Sequence, residues 1–232
     1  MPAKPTQKRT LTPRKRTPLP HVEGRESVFG DLAAAATLRA IFRLERRQDP
    51  DDETGDPELT QGVHAVHPWA GRMHPVWARR LLALLPDGTS VIDPFCGAGT
   101  VLVEARRAGL HARGSDINPV AVRLARLRVI PPPSGQAIVS TALRCAERSL
   151  QSRQTWFSAL AEGEKDYPRH VLATLIALRD EIERVPDAKI REVLLFSLSP
   201  LLDKFSARRD REAPRVSTDT VRKHFIARAD RW

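Results

Sequence analysis

Cysteine is scarce in this sequence, and no long apolar run occurs in it. The two cysteines, Cys96 and Cys145, are too few for a disulfide framework or a zinc ribbon, so we expect a reducing cytoplasm. The longest apolar stretch, Val193 to Leu202, is too short and too interrupted to cross a bilayer. The basic N-terminus also lacks the apolar core of a signal peptide. These absences predict a cytoplasmic protein with no membrane partner.

Acidic residues are missing from residues 1–20, which hold six lysines and arginines, and residues 206–232 hold eight basic residues against four acids. The two ends account for the whole formal net charge of +10. Basic ends suit contact with the phosphates of a nucleic acid, although a solubilising tail explains them equally. The candidates for contact with nucleic acid are Lys8, Arg9, Arg14, Lys15, Arg16, Arg208, Arg209 and Arg211.

Composition and periodicity divide the chain into four parts. Residues 1–24 are rich in Pro, Lys and Thr, which predicts a disordered basic tail. Residues 25–58 predict a helix over 27–48 and then an acidic linker. Residues 59–135 alternate strand and helix signals, which indicates a Rossmann-like α/β core with a parallel sheet. Residues 136–232 predict a helical region.

Individual elements follow from local signals. In the α/β part we expect a strand at Ser90 to Phe95 and a second strand at His111 to Asp116. Between them we expect a helix at Val101 to Ala108 that ends at Gly109. The helix after the second strand should be capped by Asn118 and have Pro119 in its first turn, and its apolar face should hold Val120, Leu124 and Leu127. In the helical part the predicted apolar faces are Val171, Leu175, Leu178, Ile182 and Val185 on one helix and Val221, Phe225 and Ala229 on the last, with a further buried helix at Ile190 to Phe205.

Glycine and one acid mark a nucleotide-like site. Gly97 and Gly99 follow the first strand and let the backbone come close to a ligand, because they lack a Cβ. Asp116 ends the next strand, where an acid can accept hydrogen bonds from two ribose hydroxyls. The third glycine of the dinucleotide fingerprint is missing, and no Gly-Lys-Ser or Gly-Lys-Thr of a P-loop is present.

The run Asp93-Pro94-Phe95-Cys96-Gly97-Ala98-Gly99-Thr100 closely resembles the Asp-Pro-Phe-x-Gly-x-Gly-Thr motif of methyltransferases that modify exocyclic amines in DNA, and of some RNA guanine methyltransferases. Asp116-Ile117-Asn118-Pro119 is similar to the second motif of these families, and His67 to Pro75 looks like their upstream motif. The pair of helices at 170–205 resembles an insert of a bacterial branch. The resemblance implies a class I, Rossmann-like fold and S-adenosyl-L-methionine as the cofactor.

The resemblance also implies roles for single residues. The Phe95 to Gly99 loop would hold the methionyl part of the cofactor, Asp93 its amino end, and Asp116 its ribose. The residues thereby assigned to the cofactor are Asp93, Pro94, Phe95, Cys96, Gly97, Gly99, Thr100, Asp116, Ile117, Asn118, His67, Arg72 and Met73.

The catalytic signature of the resembling families is missing. That signature is Asp, Asn or Ser followed by Pro-Pro and an aromatic residue, which orients the target amine and stacks on the flipped base. Here Asn118-Pro119 lies in the second motif, and Pro131-Pro132-Pro133 is followed by Ser134. The catalytic residues are therefore unknown. Three explanations stay open: the chain is a fragment, a second subunit supplies the rest, or the transferase activity is gone.

Two further groups of residues invite chemistry that the sequence does not favour. Cys96 lies in the cofactor loop, which indicates a small packing residue rather than the nucleophile of cytosine C5 methylation. His64, His67 and His74 have no Cys or carboxylate at ligand spacing beside them. We expect loop and packing roles for these histidines and no metal.

The resulting hypothesis is a methyltransferase that acts on nucleic acid, with an exocyclic amine of a DNA base as the target. Transfer would be direct and in line, without a covalent intermediate. This chain would supply the cofactor-binding part. The alternatives are a non-catalytic or split-enzyme S-adenosylmethionine-binding subunit, an RNA guanine methyltransferase, and a nucleic-acid-binding protein with a decayed cofactor site.

Overall fold

The computed structural model describes residues 30–42, 62–130, 133–151, 166–207 and 215–232.

Side-chain caps set the points at which several helices begin. The Asn118 side chain accepts a hydrogen bond from Val120 N, and Pro119 stands in the first turn, as predicted. Asp187 and Ser217 cap two later helices in the same way. Gly109 follows another helix at a φ of +73°, the left-handed conformation expected for it.

The described residues form eight α-helices, one 3₁₀ turn and two strands. In chain order these are α1 (Leu32–Phe42), the 3₁₀ turn (Gly62–His64), α2 (Pro75–Leu82), β1 (Ser90–Asp93), α3 (Thr100–Arg107), β2 (His111–Gly114), α4 (Pro119–Val129), α5 (Gly135–Gln151), α6 (Arg169–Glu183), α7 (Ala188–Lys204) and α8 (Thr218–Ala229). We call β1, α3, β2 and α4 the sheet unit, and α5 to α8 the helical unit.

The two strands of the sheet unit are parallel neighbours. Their register pairs Ser90 with His111 and Asp93 with Gly114. A glycine is needed at 114, because a Cβ there would lie 2.6 Å from Leu102 Cδ1. Helix α3 connects the strands and packs on both of them and on α2 and α4. This is the predicted architecture, a partial Rossmann-like methyltransferase core.

The helical unit buries the apolar faces that the periodicity predicts. Each of its four helices packs against the other three. The predicted face of α6, the predicted stretch in α7 and the predicted face of α8 supply its fully buried residues, among them Leu178, Leu194 and Phe225. Helix α5, which the sequence did not single out, contributes Ile138 and Ala142. The helical region is thus one packed cluster rather than a string of separate helices.

One predicted face is wrong in detail. Val120 is 44% exposed, whereas Leu124 and Leu127 are buried as expected. The buried stripe of α4 includes Ala121 and Arg128 instead, because the helix lies between α3 and the helical core. The predicted N-terminal helix is described as Leu32–Phe42. Residues 30 and 31 of its predicted range precede the helix, and residues 27–29 and 43–48 lie outside the described residues.

The apolar core runs across the predicted boundary between the α/β part and the helical region. One cluster joins Ala98, Leu124 and Leu127 of the sheet unit to the buried residues of α5 to α8. The loop that follows β1, which includes Ala98, therefore rests partly on the helical unit. Within the ranges described above, no helix has both the length and the apolar character needed to span a bilayer.

Candidate functional site

The loop after β1, residues Pro94 to Gly99, is held in place by hydrogen bonds to its neighbours. We call it the Gly loop. Asp93 Oδ1 accepts a hydrogen bond from Phe95 N at 3.1 Å, and Gly99 N donates to Cys96 O at 2.8 Å. Cys96 N donates to Ser115 O, and Ser115 N donates to Asp93 O, each at 3.0 Å. The end of β2 thereby fixes the loop that follows β1.

Glycine is required at two positions of the loop. Gly97 and Gly99 have φ angles of +49° and +80°, which residues with a Cβ rarely adopt. Gly99 is also the N-cap of α3 and lies against α4, where an added Cβ would be 2.8 Å from Ala125 Cβ. The glycines therefore serve both the turn and the close packing of the two helices.

Asp116 links the two predicted cofactor motifs. Its Oδ2 accepts a hydrogen bond from Gly97 N at 2.8 Å, and its Oδ1 accepts one from Asn118 N at 2.8 Å. Each carboxylate oxygen can accept two hydrogen bonds, so acceptor capacity remains on both. Gly97 and Asp116 are 19 residues apart in the sequence, and this hydrogen bond joins them in one local structure.

A cavity of about 230 Å³ lies between the Gly loop and the segment before α2. We call residues 62–74 the wall segment. The cavity is lined by Trp69, Gly71, Arg72, Met73, Asp93, Phe95, Cys96, Gly97, Ala98, Thr100 and Val101. The predicted residues Arg72 and Met73 thus share one cavity with most of the predicted loop residues.

The polar groups of this cavity fit a charged, partly apolar ligand. The Thr100 side chain is only 4% exposed, and its hydroxyl has no hydrogen-bond partner among the described residues. Buried hydroxyls are normally hydrogen-bonded, and this one has capacity for a further bond. Asp93 and Arg72 place one negative and one positive side chain in the lining. Phe95 of the lining is 87% exposed, and Ile117 in the turn after β2 is 101% exposed.

Some predicted residues lie away from the cavity lining. Asp116, Ile117 and Asn118 follow β2, and Asp116 accepts the hydrogen bond of the lining residue Gly97. His67 contacts the helical unit instead, since its Nε2 is 2.8 Å from Ser199 Oγ. Burial lowers the pKa of His67 to about 4, so its ring is neutral at pH 7. All eight basic residues predicted to contact nucleic acid lie outside the described residues.

The sequence did not predict a role for Glu104, a buried carboxylate behind the site. Glu104 of α3 accepts hydrogen bonds from His64 Nε2 at 2.7 Å, Arg79 Nε at 2.9 Å and Arg107 Nη1 at 2.8 Å. Burial raises the pKa of Glu104, but the hydrogen bonds from His64 and Arg79 and the two arginine charges outweigh it, so the pKa is lowered. The carboxylate fastens the wall segment and α2 to α3. Arg79 and His64 lie 25 and 40 residues from Glu104 in the sequence, so no local period predicts these two contacts.

The histidines have the structural roles expected of them. His64 is buried beside Glu104, and burial lowers its pKa more than the neighbouring carboxylate raises it. A neutral imidazole then donates its Nε2 proton to the carboxylate. His74 Nδ1 accepts the hydrogen bond of Val76 N at the start of α2. Within the described ranges, no three metal-ligating side chains come together.

Cys96 is buried in the Gly loop and packs against Leu102 and Ala125. Burial, with the nearby charges of Asp93 and Asp116, raises the pKa of the thiol. A thiol with a raised pKa is a poor nucleophile, because the thiolate is the reactive form. This environment supports the packing role.

The charge around the site differs from the average of the chain. Residues 62–130 contain nine arginines, no lysine and four acids, although residues 21–205 as a whole are neutral. The acids that offset these arginines lie elsewhere in the sequence. The part of the chain that forms the cavity is therefore basic in its own right.

A family model matches the part of the chain that holds the Gly loop. Residues 77–181 match the D12 class N6 adenine-specific DNA methyltransferases, from within α2 into α6. This range includes β1, the Gly loop, β2 and Asp116. The resemblance to DNA methylases that the motifs indicated is confirmed.

Curated relatives match over a similar length. The Type II methyltransferase M.MjaII of Methanocaldococcus jannaschii is 33% identical over 79 residues, which cover 34% of this chain and 15% of the relative. The Type II methyltransferase M.MvaI of Kocuria varians is 34% identical over 82 residues, covering 34% and 17%. The chain thus spans about a sixth of the length of these relatives. No solved structure matches the chain.

Proposed function

We propose that this chain binds S-adenosyl-L-methionine between the Gly loop and the wall segment, as the cofactor-binding part of a methyltransferase that acts on an exocyclic amine of a DNA base. The observation that carries the proposal is the cavity itself, with the buried and unpartnered Thr100 hydroxyl in its lining. The family match over residues 77–181 supports the same assignment.

The charges of the cavity suit the amino-acid end of this cofactor. A methionyl group carries one ammonium and one carboxylate. Asp93 would hold the ammonium and Arg72 the carboxylate, since each prefers the opposite charge. The Thr100 hydroxyl and the backbone at Gly97 would complete the contacts with this end of the molecule.

The nucleoside end would lie near the end of β2. Asp116 keeps acceptor capacity for the ribose hydroxyls while its present bonds hold Gly97 and Asn118. The fully exposed Ile117 and the exposed Phe95 would cover the faces of the adenine ring. Asn118 caps α4, and it would act by keeping the Asp116 turn in shape.

When bound, S-adenosyl-L-methionine supplies an electrophilic methyl group on a sulfonium. The residues of this chain would bind and orient that group, and they would exclude water from one side of it. Direct transfer to a nitrogen depends mainly on proximity and alignment. A rigid loop with two left-handed glycines suits that requirement.

DNA is the favoured substrate, because the matching family model is described as acting on it, and adenine N6 is the first base position to test. The nine arginines of residues 62–130 and the basic chain ends would contribute sequence-independent attraction to phosphates. RNA with a guanine target is the next substrate to test. A cytoplasmic location goes with a DNA substrate and with few cysteines, and it stays a prediction.

A second candidate function is a cofactor-binding subunit that does not methylate alone. Two observations favour it. The Pro-Pro-aromatic signature is missing from the sequence, and Ile92 in β1 is 74% exposed in a sheet of two described strands. Parallel strands are usually covered on both faces, so the open sheet suits a further chain segment or a partner.

Calorimetry with S-adenosylhomocysteine tests the binding site. The wild-type chain is expected to bind it, Asp116→Ala to lose binding, and Thr100→Val to weaken it by about tenfold through the loss of one hydrogen bond in a buried site. Asp87→Ala removes an exposed carboxylate from a distant turn and is the matched control. Binding that survives Asp116→Ala unchanged would show that the site is assigned wrongly.

Transfer of a tritiated methyl group separates the two candidate functions. The purified chain is incubated with labelled cofactor and with duplexes that contain either adenine or cytosine as the methylatable base, and with structured RNA in a parallel sample. Methyl incorporation by the chain alone supports the enzyme and excludes the subunit that cannot methylate. Cofactor binding without incorporation in any sample supports the subunit.

A further inference from the structure

Arg128 occupies a place on α4 where an apolar side chain is expected. Ala121, Leu124 and Ala125 lie seven, four and three positions before it on the same face, and all are buried. Arg128 itself is only 5% exposed. The helix therefore directs a guanidinium into the core of the sheet unit, behind the Gly loop.

The guanidinium joins the two walls of the candidate cavity. Its Nη1 donates to Ala98 O in the Gly loop at 3.1 Å. Its Nη2 donates to His67 O in the wall segment at 2.7 Å, with a longer contact to His64 O at 3.5 Å. One side chain thus bonds to the main chain on both sides of the cavity.

The wall segment depends on side-chain contacts of this kind. It contains a single 3₁₀ turn, Gly62–His64, and no strand that could pair with the sheet unit. Trp69, Arg72 and Met73 line the cavity from this segment, and they follow His67 within six residues. A shift of His67 O relative to Ala98 O would therefore change the width of the cavity.

Burying this cation is unfavourable unless it makes strong contacts. Its partners among the described residues are main-chain carbonyl oxygens rather than carboxylates. Burial, and then the charge of Arg72, lowers the pKa of Arg128 to about 10, so it remains charged at neutral pH. An arginine presents its donors in a rigid planar fork that can span two acceptors, whereas the ammonium of a lysine is a compact point charge.

We infer that Arg128 is a positioning residue for the cofactor: it holds the wall segment against the Gly loop and so sets the width of the cavity. The inference rests on the proposed function for its ligand, S-adenosyl-L-methionine. Arg128 does not line the cavity and would act through Ala98 and His67.

The test uses the full chain labelled with 5-fluorotryptophan and observed by ¹⁹F NMR. The sequence has four tryptophans, and the signal of Trp69 is identified by its loss in Trp69→Phe. Arg128→Ala is expected to shift or broaden the Trp69 signal while the Trp77 and Trp232 signals stay in place. Arg126→Ala, which removes an exposed arginine from the same helix, is the matched control and is expected to leave all of them unchanged.

Affinity and rescue complete the test. Arg128→Ala is expected to weaken binding of S-adenosylhomocysteine by about tenfold or more, because two buried carbonyls lose their donor. Millimolar methylguanidine is expected to restore both the affinity and the Trp69 signal of this variant. Arg128→Lys, which keeps the charge but loses the planar fork, is expected to lie between Arg128→Ala and the wild type.

Three outcomes would overturn the inference. The first is a Trp69 signal and an affinity that Arg128→Ala leaves unchanged. The second is a loss that spreads to the Trp77 and Trp232 signals without rescue, because this would show a merely stabilising side chain. The third is an equal loss in Arg126→Ala. If the wild type does not bind S-adenosylhomocysteine, the proposed function fails. The Trp69 signal then still tests whether Arg128 holds the wall segment against the Gly loop.

Discussion

The helical unit and the sheet unit cover their apolar residues to different degrees. In the helical unit Leu178, Ile182 and Leu194 are fully buried. In the sheet unit Ile92, in the middle of β1, is 74% exposed. In both units the sequence signals for strand or helix agree with the structure. A weak local preference for strand or helix therefore does not explain the difference in burial. It comes from the number of elements available to pack on each side.

Four helices can bury one another, whereas two strands cannot. Each helix of the helical unit contacts three others, and the cluster closes around them. A two-stranded sheet is marginal by itself, and its order here depends on α3 and on the contacts of the Gly loop. We conclude that the described sheet unit is supported from one side, by its helices, and open on the other.

The largest expected effect tests this comparison directly. Leu194→Ala should destabilise the protein by roughly 2–5 kcal/mol, because it leaves a cavity in a closed core. Ile92→Ala removes an apolar group of the same size from the open sheet and should change stability by less than about 0.5 kcal/mol. Urea denaturation followed by circular dichroism measures both. Equal losses for the two variants would mean that the face of β1 is covered in solution.

A smaller but more local effect is expected at the junction of the two helices of the sheet unit. Gly99→Ala should cost about 2–4 kcal/mol, since it adds a clash with Ala125 to the strain of a positive φ. Gly88→Ala has a similar φ of +76° but nothing within 4 Å of the new Cβ, so roughly 1–2 kcal/mol is expected. Denaturation with calorimetry of S-adenosylhomocysteine binding checks both. Equal losses of stability in the two variants would contradict the packing role of Gly99.

The smallest effect concerns the contact of His67, in the wall segment, with the helical unit. Burial holds its pKa at about 4 in the folded protein, against 6.5 for the unfolded chain. The unfolded state therefore binds more protons between these values, and stability should fall as the pH decreases from 6.5 to 4. His67→Gln should flatten this dependence, and His111→Gln, an exposed histidine, should not. The midpoints of urea denaturation at pH 7 and pH 5 measure this dependence. An equal change of the midpoint with pH in the wild type and in His67→Gln would contradict the prediction.

Local signals predicted much of the fold. The capping of α4 by Asn118 and the left-handed Gly109 depend on residues a few positions apart. The buried faces of α6 and α8 follow from one helical period each. Val120 was misplaced because a period gives a stripe but not the direction in which neighbouring helices rotate it.

The candidate site was predictable in its loop and not in its supports. Gly97, Gly99 and Asp116 stand in recognisable motifs because a close backbone approach needs glycine. His67 was predicted at the cofactor but contacts Ser199, 132 residues away. The contacts of the buried Glu104 with His64 and Arg79 were unforeseen for the same reason. A hint did exist for Arg128, since the helical period of α4 places it on the apolar face.

The sequence by itself determined the Gly loop, the type of most elements and the resemblance to DNA methylases, because each depends on residues close together in the chain. Only the tertiary structure decided that Glu104 and Arg128 are buried, that the wall segment closes a cavity with the Gly loop, and that the sheet is open on one side. These features depend on contacts between distant segments. Their free energy comes from desolvation and packing, which local sequence does not encode.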